Sequence, residues 1–141
     1  MLSCALNRPE GQFDFAALRG FFANKRVLVT GAAGSIGGAL CLKLAKLGCA
    51  HLAMLDQFDH GLLDIVEHVH RDAPNLQTTE VLCDVRDSGR LSAWIRRIEP
   101  DVVIHSAALK HVHLGERHPI ECVLTNLVGV RNVVDASAAA G

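Results

Sequence analysis

The sequence contains no tyrosine, and its aromatic residues are limited to five phenylalanines and one tryptophan. A phenol is therefore not available in this chain as a general acid or base. Because 50% of the residues are hydrophobic and only 4% are aromatic, we expect a core of valine, leucine, isoleucine and alanine. A length of 141 residues predicts one domain.

The sequence also lacks an excess of either charge, a CxxC pair and a long uninterrupted apolar run. A formal net charge of −1 gives no reason to expect nucleic acid or an anionic membrane as a partner. Five widely spaced cysteines indicate reduced thiols in the cytoplasm, not a disulfide framework or a zinc cluster. The longest apolar stretch is interrupted by Lys43, Lys46 and His51, and the N-terminus has no signal-peptide pattern, so we expect no membrane segment in this chain.

Short apolar runs alternate with segments of helical spacing along the rest of the chain. The runs at 26–30, 51–55, 80–83 and 101–107 predict strands, and each is followed by a predicted helix. This alternation predicts an α/β fold, a Rossmann-type parallel sheet of four strands in the order 3-2-1-4, with helices on both faces. Residues 1–25 are expected to form a helical lead-in, and residues 26–141 a dinucleotide-binding domain whose sheet is incomplete at the C-terminus.

Several residues predict where the helices begin, end and face the core. Asp59 and Asp87 are expected as N-caps, Gly48 as a C-cap, and Pro119 in a first helical turn. Apolar residues at helical spacing predict one inward stripe for each helix. The predicted stripes are Phe15, Leu18 and Phe22; Ile36, Leu40, Leu44 and Leu47; Leu62, Val66 and Val69; Leu91, Trp94, Ile95 and Ile98; and Val123, Leu127, Val130 and Val134.

A glycine-rich turn, "VLVTGAAGSIGGAL", joins the first predicted strand to the first long helix. In this setting we expect Gly31 to permit the tight turn, Gly34 to admit a pyrophosphate, and Gly37 to allow close packing of the helix on the strand. The backbone N–H groups near Ser35 and Ile36, at the positive end of the helix, would hold phosphate without a basic side chain. The spacing is G-x-x-G-x-x-G, and the alternative is a turn that needs glycine for geometry alone.

Acidic residues end the next two predicted strands. We expect Asp56 to accept hydrogen bonds from the adenosine ribose, and its charge to favour NAD over NADP, since no arginine or lysine follows in "DQFDHG". Asp84 and Val85 are expected to hold the amino group and the face of adenine. For Asp56 the alternative is an acid that only caps a helix or stabilises a turn.

These segments together resemble a known family. "TGAAGSIG", the strand-end Asp56, "CDVRD", "DVVIHSAALKHV" and "TNLVGVRNV" are similar to the extended short-chain dehydrogenase/reductase superfamily. Within it, "HSAALKHVHLGERHP" resembles the H-A-A-A-L-K-H-V-P-x-x-E-x-N-P pattern of the CapD-like polysaccharide-biosynthesis group, which includes UDP-N-acetylglucosamine 4,6-dehydratases. The resemblance covers nearly all of the chain.

The resemblance implies a lyase reaction in which NAD(P) carries a hydride within the active site. A UDP-sugar is oxidised at C4, loses water across C5 and C6, and regains the hydride at C6. The group places its acid and base in a Ser/Thr-Asp-Lys segment and a Tyr-x-x-x-Lys pair after the next strand. This chain has neither, so we expect the NAD(P)-binding portion of such an enzyme, inactive alone, with no catalytic residue of its own.

Two other functions remain open at this stage, a fragment of a UDP-sugar 4-epimerase and a non-catalytic NAD(P)-binding module. The parent protein is expected to be cytoplasmic and homo-oligomeric, and an anchor at the inner membrane stays open as an alternative. Its substrate is expected to be a nucleotide sugar, and no nucleic acid is expected as a partner.

The histidine-rich segment follows the fourth predicted strand, where ligands of such sheets bind. We expect His105, Ser106, Ala107 and Ala108 to lie under the dinucleotide, because small residues let it approach the backbone. Lys110 and His111 are expected to face the nicotinamide ribose or the rim of the substrate site, the alternative being two solvated loop cations.

Two further expectations concern the residues around this segment. Asn126, a poor helix former within a helix, is expected to make a specific hydrogen bond near the cofactor, and the alternative is a surface residue. The alternative for His111, His113 and His118, with Glu116, is a metal site, and because cations lie nearby we expect none.

Overall fold

The computed structural model describes residues 14–141, which form four strands joined by helices. The strands are β1 (Arg26–Thr30), β2 (His51–Asp56), β3 (Gln77–Leu82) and β4 (Val102–His105). The helices are α1 (Phe15–Phe22), α2 (Ser35–Leu47), α3 (Asp59–Asp72), α4 (Ser88–Ile98), α5 (Val112–Arg117), α6 (Pro119–Val123), a π-helical segment (Leu124–Gly129) and α7 (Val130–Ala140). Cys4 and the first half of the predicted lead-in lie outside the described residues.

All four strands are parallel and lie in the order β3-β2-β1-β4, which confirms the predicted topology. Arg26 to Thr30 of β1 pair with His51 to Leu55 of β2, and Thr30 also pairs with His105 at the end of β4. The carboxyl ends of these strands therefore meet at one edge of the sheet, with β1 between β2 and β4. Chain crossings on either side of β1 leave a crevice there.

Helices cover both faces of the sheet, as predicted. Val27 and Val29 of β1 point to one face, where they pack with α2 and α3, while Leu28 points to the other. That second face is covered by α4 and α7, which contribute Leu91 and Val133 among others. Each fully buried side chain of this size contributes roughly 1.5–3 kcal/mol, so the two faces together hold the strand ends in place.

Most of the predicted helix ends are confirmed. Asp87 Oδ1 accepts the N–H of Arg90 at 3.0 Å, Gly48 has φ +80° after α2, and Pro119 is the first residue of α6. The prediction for Asp59 was wrong, since α3 begins at Asp59 itself and Phe58 is its N-cap. Asp56 Oδ1 accepts the N–H of Phe58, and α3 follows directly from this turn.

The predicted bounds of the outer strands needed correction. The third strand begins at Gln77 instead of residue 80, and the fourth ends at His105. Only Val81 of β3 is buried, because β3 lies at the edge of the sheet and its other side chains reach solvent. A polar segment such as "QTTE" is compatible with an edge strand, which the apolar pattern does not reveal.

The predicted faces of α1 and α2 were partly wrong. Phe15 is 65% exposed, whereas Leu18 and Phe22 are half-buried. In α2, Ile36 is 67% exposed, and the residues that face the sheet are Gly37, Cys41, Leu44 and Ala45. Gly37 has to face the turn because a Cβ there would lie 2.0 Å from Gly31 O, and this contact sets the rotation of the helix.

The stripe predicted for the last helix is exposed. Val123, Leu127, Val130 and Val134 lie on the outer side, and Thr125, Gly129, Val133 and Ala136 are buried instead. Hydrogen bonds from Asn126 to Leu109 and from Asn132 to Val85 fix this rotation. The stripes of α3 and α4 are confirmed as buried, apart from the half-buried Trp94.

None of the helices in residues 14–141 is long and apolar enough to cross a bilayer.

One buried histidine makes the fold sensitive to acid. His51 at the start of β2 is 3% exposed, its Nε2 bonds Thr79 Oγ1 at 2.8 Å, and its Nδ1 is buried without a partner among the described residues. Burial, followed by the charge of Arg26, lowers the pKa of His51. An unfolded histidine protonates near pH ~6.5 while His51 in the fold stays neutral, so stability should be lost as the pH falls below that value.

We predict that His51→Gln makes the free energy of unfolding decline less steeply between pH 7 and 5. Glutamine offers Thr79 a hydrogen-bond partner but takes up no proton. Urea unfolding across the pH series measures this slope, with the exposed His113→Gln as control for the loss of a histidine. An equal slope in His51→Gln and the unmodified chain would show that His51 does not carry the effect.

Candidate functional site

The glycine-rich turn between β1 and α2 is held by its own backbone. Gly31 has φ +70°, a conformation that favours glycine, and its carbonyl accepts the N–H of Gly34 at 3.0 Å. A Cβ on Gly31 would lie 2.5 Å from Ala107 N, so the turn contacts the chain just after β4. The tight turn predicted at Gly31 is therefore present. Gly37 brings α2 close to Gly31 and Ser106, the residues that follow β1 and β4.

The first turn of α2 opens onto the crevice at the carboxyl edge of the sheet. Its N-cap is Gly34, which supplies no side-chain cap, and the N–H groups of Ser35, Ile36 and Gly37 have no carbonyl within the helix to bond. A Cβ on Gly34 would meet only Gly31 O, at 3.2 Å, within 4 Å. Gly34 lines the crevice at this point, and the N-terminus of the helix is positive, which favours an anion.

Asp56 at the end of β2 binds two backbone N–H groups. Its Oδ2 accepts from Ala33 at 2.9 Å and its Oδ1 from Phe58 at 3.0 Å. The carboxylate therefore ties the glycine-rich turn to the start of α3, so it does stabilise the turn. Each oxygen keeps a lone pair, which leaves Asp56 able to accept from a ligand hydroxyl as well.

Asp84 after β3 lies in an ion pair with Arg86. Asp84 Oδ2 lies 2.7 Å from Arg86 Nε and 2.6 Å from Nη2, and Oδ1 accepts the N–H of Arg86 at 2.9 Å. Burial raises the pKa of Asp84, but the hydrogen bonds and charge of Arg86 outweigh it and hold that pKa below its ordinary value. Val85, 4% exposed, follows as an apolar wall.

The chain leaving β4 crosses directly beneath the crevice. Ser106 Oγ donates to Thr30 O at 2.7 Å, and His105 Nδ1 lies 2.7 Å from Thr30 Oγ1. Burial lowers the pKa of His105, and its imidazole links β4 to β1. Ala107 and Ala108 follow with side chains too small to fill the space above them.

Asn126 holds the loop after β4 in place. Its Oδ1 accepts the N–H of Leu109 at 2.8 Å and its Nδ2 donates to Leu109 O at 2.9 Å. The predicted specific hydrogen bond is therefore present, and its partner is backbone. The residue lies in the π-helical segment, whose wider turn is common near functional sites.

The glycine-rich turn, the strand ends and the chain after β4 line one cleft of about 260 Å³. Eight predicted residues line it: Gly31, Gly34, Asp56, Asp84, Val85, Ser106, Ala107 and Ala108. The other predicted residues do not line it: Ser35, Ile36 and Gly37 lie in α2, His105 lies in β4, Asn126 braces Leu109, and Lys110 is exposed in the loop. Seven lining residues were not predicted, namely Ala33, Leu55, Gln57, Phe58, Cys83, Leu109 and Thr125.

Phe58 is the lining residue that the sequence could have revealed, because an aromatic side chain two positions after a strand-end acid lies at the mouth of such a cleft. It is 56% exposed, and its ring lies against Gly61, where a Cβ would be 2.7 Å from the ring. The absence of a side chain at residue 61 therefore leaves room for this aromatic wall.

A second cleft of about 290 Å³ adjoins the first and shares Gln57, Leu109 and Thr125 with it. His111 and His118 line it, together with Arg86 and Glu121. The rings of His111 and His113 are 5.9 Å apart. Among residues 14–141, no three His, Cys, Asp or Glu side chains are grouped so that they could hold a metal ion.

Comparisons with known proteins agree with this geometry. A family described as "Polysaccharide biosynthesis protein" matches residues 27–141. The capsular polysaccharide biosynthesis protein CapD of Staphylococcus aureus is 30% identical over 133 residues, which are 94% of this chain and 22% of CapD. A UDP-N-acetylglucosamine 4,6-dehydratase (inverting) of Campylobacter jejuni is 36% identical over 115 residues, which are 82% of this chain and 33% of the relative.

A solved structure is similar as well. The UDP-glucose-4-epimerase of Stenotrophomonas maltophila, with bound NAD and formylated UDP-arabinopyranose, superposes with a TM-score of 0.74 at 31% identity, over 83% of this chain and 34% of the epimerase. The chain thus spans between about a fifth and a third of the length of these proteins. Since the family match runs from β1 to the last residue, the chain belongs to the CapD-like polysaccharide biosynthesis family.

Proposed function

We propose that this chain is the NAD(P)-binding portion of a nucleotide-sugar 4,6-dehydratase that acts in surface polysaccharide biosynthesis. The observation that carries the proposal is the cleft in which the open N-terminus of α2, the strand-end Asp56 and the small residues Ala107 and Ala108 face one space. The residues fit a dinucleotide, because Gly34, Ala107 and Ala108 carry little or no side chain and leave the cleft unfilled. The similarity to a dehydratase and to an NAD-bound epimerase supports the proposal.

Each part of the cleft has a role in this function. The N–H groups of Ser35 and Ile36 bind the pyrophosphate, and Asp56 orients the adenosine ribose. Asp84 and Val85 bind the adenine, and Ala107 and Ala108 let the dinucleotide lie against backbone. When bound, the nicotinamide would take a hydride from C4 of the sugar and return it at C6.

The acid and base of this reaction are placed outside these 141 residues. The chain has no tyrosine, so it lacks the Tyr-x-x-x-Lys pair that the resemblance assigns to this role. Lys110, exposed in the loop after β4, is the residue of this chain that we place nearest the nicotinamide ribose and the substrate. The chain alone should bind cofactor and leave a UDP-sugar unchanged.

We predict that the chain binds NAD at least about tenfold more tightly than NADP. A 2′-phosphate about 4 Å from Asp56 would cost roughly 4 kcal/mol per unit charge at an effective dielectric constant near 20, and solvent at the cleft mouth reduces that cost. Asp56→Asn removes the charge with little change in shape, so the preference should fall to a few-fold. Calorimetric titration with both dinucleotides measures it.

The control for that experiment is Asp59→Asn, which removes the same charge three residues later, outside the cleft lining. It should keep the preference of the unmodified chain. An Asp56→Asn variant with an undiminished preference for NAD would mean that Asp56 does not set cofactor choice.

A second candidate function is a UDP-sugar 4-epimerase, favoured by the structural similarity to the epimerase of S. maltophila. Both enzymes would use the same cofactor cleft, and only the dehydratase eliminates water. Mass spectrometry of the products formed from UDP-N-acetylglucosamine by the complete protein containing this segment distinguishes them. A dehydrated keto sugar supports the proposal, an isomer of unchanged mass supports the epimerase, and no product with NAD bound supports a non-catalytic module.

The proposed parent enzyme is homo-oligomeric and works in the cytoplasm. For this chain, β4 is an edge strand of the described sheet with half-buried side chains, and such an edge promotes self-association. Light scattering on the chain should show dimers or larger species, and a monodisperse monomer would contradict this expectation.

A further inference from the structure

An ion-pair chain separates the two adjoining clefts. Arg86 lies between Asp84, which lines the dinucleotide cleft, and Glu121 of α6, which lines the second cleft. Its Nε and Nη2 contact Asp84 Oδ2, and its Nη1 lies 2.6 Å from Glu121 Oε2. The guanidinium therefore lies between the two acids, and it lines the second cleft while Asp84 lines the first.

This ion-pair chain is partly shielded from solvent. The side chains of Arg86 and Asp84 are 32% and 26% exposed, and Glu121 is 52% exposed. Arg86 reaches one Asp84 oxygen with two nitrogens, and a planar guanidinium that contacts carboxylates at several points fixes their orientation. Exposed single-point pairs, such as Arg131 with Asp135, lack this geometry.

The loop that carries Arg86 is also held by neutral contacts, so loss of the ion pair need not release it. Asn132 Nδ2 donates to Val85 O at 3.0 Å and to Arg86 O at 3.1 Å. Gly129 packs so closely against Val85 that a Cβ there would lie 2.8 Å from Val85 Cγ2. The backbone position is therefore set by Asn132 and Gly129, which leaves Arg86 to control the Asp84 carboxylate.

The ion pair between Arg86 and Asp84 affects which purine the cleft accepts. With Oδ2 taken by the guanidinium, Asp84 Oδ1 receives one backbone N–H and keeps a lone pair. A carboxylate held as an acceptor pairs with the amino group of adenine and repels the carbonyl oxygen of hypoxanthine. A free carboxyl could rotate, or take up a proton and donate instead.

We propose that Arg86 is a specificity-determining residue that fixes Asp84 as an acceptor and so makes the cleft select adenine over hypoxanthine. The role of Arg86 is positional, since it acts through Asp84 and need not touch the dinucleotide. This inference rests on the proposed function, because it requires a dinucleotide in the first cleft.

The test compares NAD with nicotinamide hypoxanthine dinucleotide by calorimetry on the 141-residue chain. The unmodified chain should prefer NAD by about tenfold or more, as expected when a half-buried acceptor meets the wrong partner. Arg86→Gln should reduce this ratio to about two, chiefly by weakening NAD, while the melting of the far-ultraviolet circular dichroism signal shows that the fold is kept. Arg86→Lys should give an intermediate ratio, since an ammonium makes a single-point contact.

Glu121→Gln is the matched control, because it removes the outer partner of Arg86 and leaves the pair with Asp84. It should keep the full preference for NAD. If no dinucleotide binds the unmodified chain, the proposed function itself fails. If NAD binds but Arg86→Lys and Arg86→Gln both keep the original ratio, only the role of Arg86 is overturned, and the ion pair is structural.

Discussion

Replacing Gly37 by alanine is expected to destabilise the chain by about 2–4 kcal/mol, the upper range for overpacking a buried site. The new Cβ would lie 2.0 Å from Gly31 O, and both groups belong to backbone that is held by neighbouring elements. Either α2 must move away from the turn or the turn must open. Thermal unfolding should show a loss of roughly 3–5 °C for each kcal/mol.

The adjacent Gly38 provides a matched control in the same helix. A Cβ at Gly38 would meet Ala32 O at 3.4 Å and Ile65 Cδ1 at 3.5 Å, which are ordinary contacts. Gly38→Ala should therefore be neutral or stabilising by up to ~1 kcal/mol, since alanine is the better helix former. Equal effects of the two substitutions would contradict the close packing of α2 on the turn.

Replacing Gly31 by alanine should destabilise the chain by about 3 kcal/mol and weaken NAD binding by tenfold or more. The left-handed conformation at φ +70° costs roughly 1–2 kcal/mol for any residue with a Cβ, and the new Cβ would clash with Ala107 N at 2.5 Å. The clash forces the turn away from the chain leaving β4, which shifts the N–H groups of α2 that face the cleft.

Substitution of Gly48 separates the conformational strain from the steric clash. Gly48 has φ +80°, and nothing lies within 4 Å of a Cβ placed there. Gly48→Ala should cost only the conformational strain, about 1 kcal/mol, and leave NAD affinity unchanged. Denaturant unfolding gives the stability change and calorimetry the affinity. If Gly31→Ala costs no more than Gly48→Ala, the contact between the turn and β4 is not under steric constraint.

The topology of the fold could be predicted from sequence because each element carries a local pattern. The apolar strands, Asp87 as a cap and Gly48 as a helix end depend on neighbours in sequence, and the structure confirms them. The glycine-rich turn is likewise recognised from residues that are neighbours in sequence. For this reason the position of the cleft at the carboxyl edge of the sheet followed from strand order alone.

What the sequence did not reveal depends on contacts between distant residues. The rotation of α2 is set by the approach of Gly37 to Gly31, and that of α7 by Asn132 bonding the loop after β3. Apolar spacing gave a stripe for each helix but could not choose between two apolar faces. Edge strands such as β3 expose side chains, so their polar residues conceal where they begin.

The candidate site, like the fold, could be predicted where the signal is local in sequence and not where it depends on distant residues. Eight of its predicted residues line the cleft, because strand ends and the glycine-rich turn can be recognised in the sequence. The pair between Arg86 and Glu121, and the hydrogen bonds of Asn126 to Leu109, join residues 35 and 17 positions apart. Contacts over such separations follow no periodic pattern in the sequence, so Leu109 could not be predicted as the partner of Asn126.

The central claim is that a dinucleotide binds in the cleft at the carboxyl ends of β1, β2 and β4. Titration of the isotope-labelled chain with NAD, followed by amide nuclear magnetic resonance, tests it most directly. The account predicts saturable shifts at Gly34–Gly37, Asp56–Phe58 and Ala107–Leu109, with the amides at the opposite sheet edge, such as His51, unchanged. An absence of saturable shifts at ~1 mM NAD, which corresponds to a binding free energy of only about −4 kcal/mol, or shifts confined to the opposite edge, would contradict it.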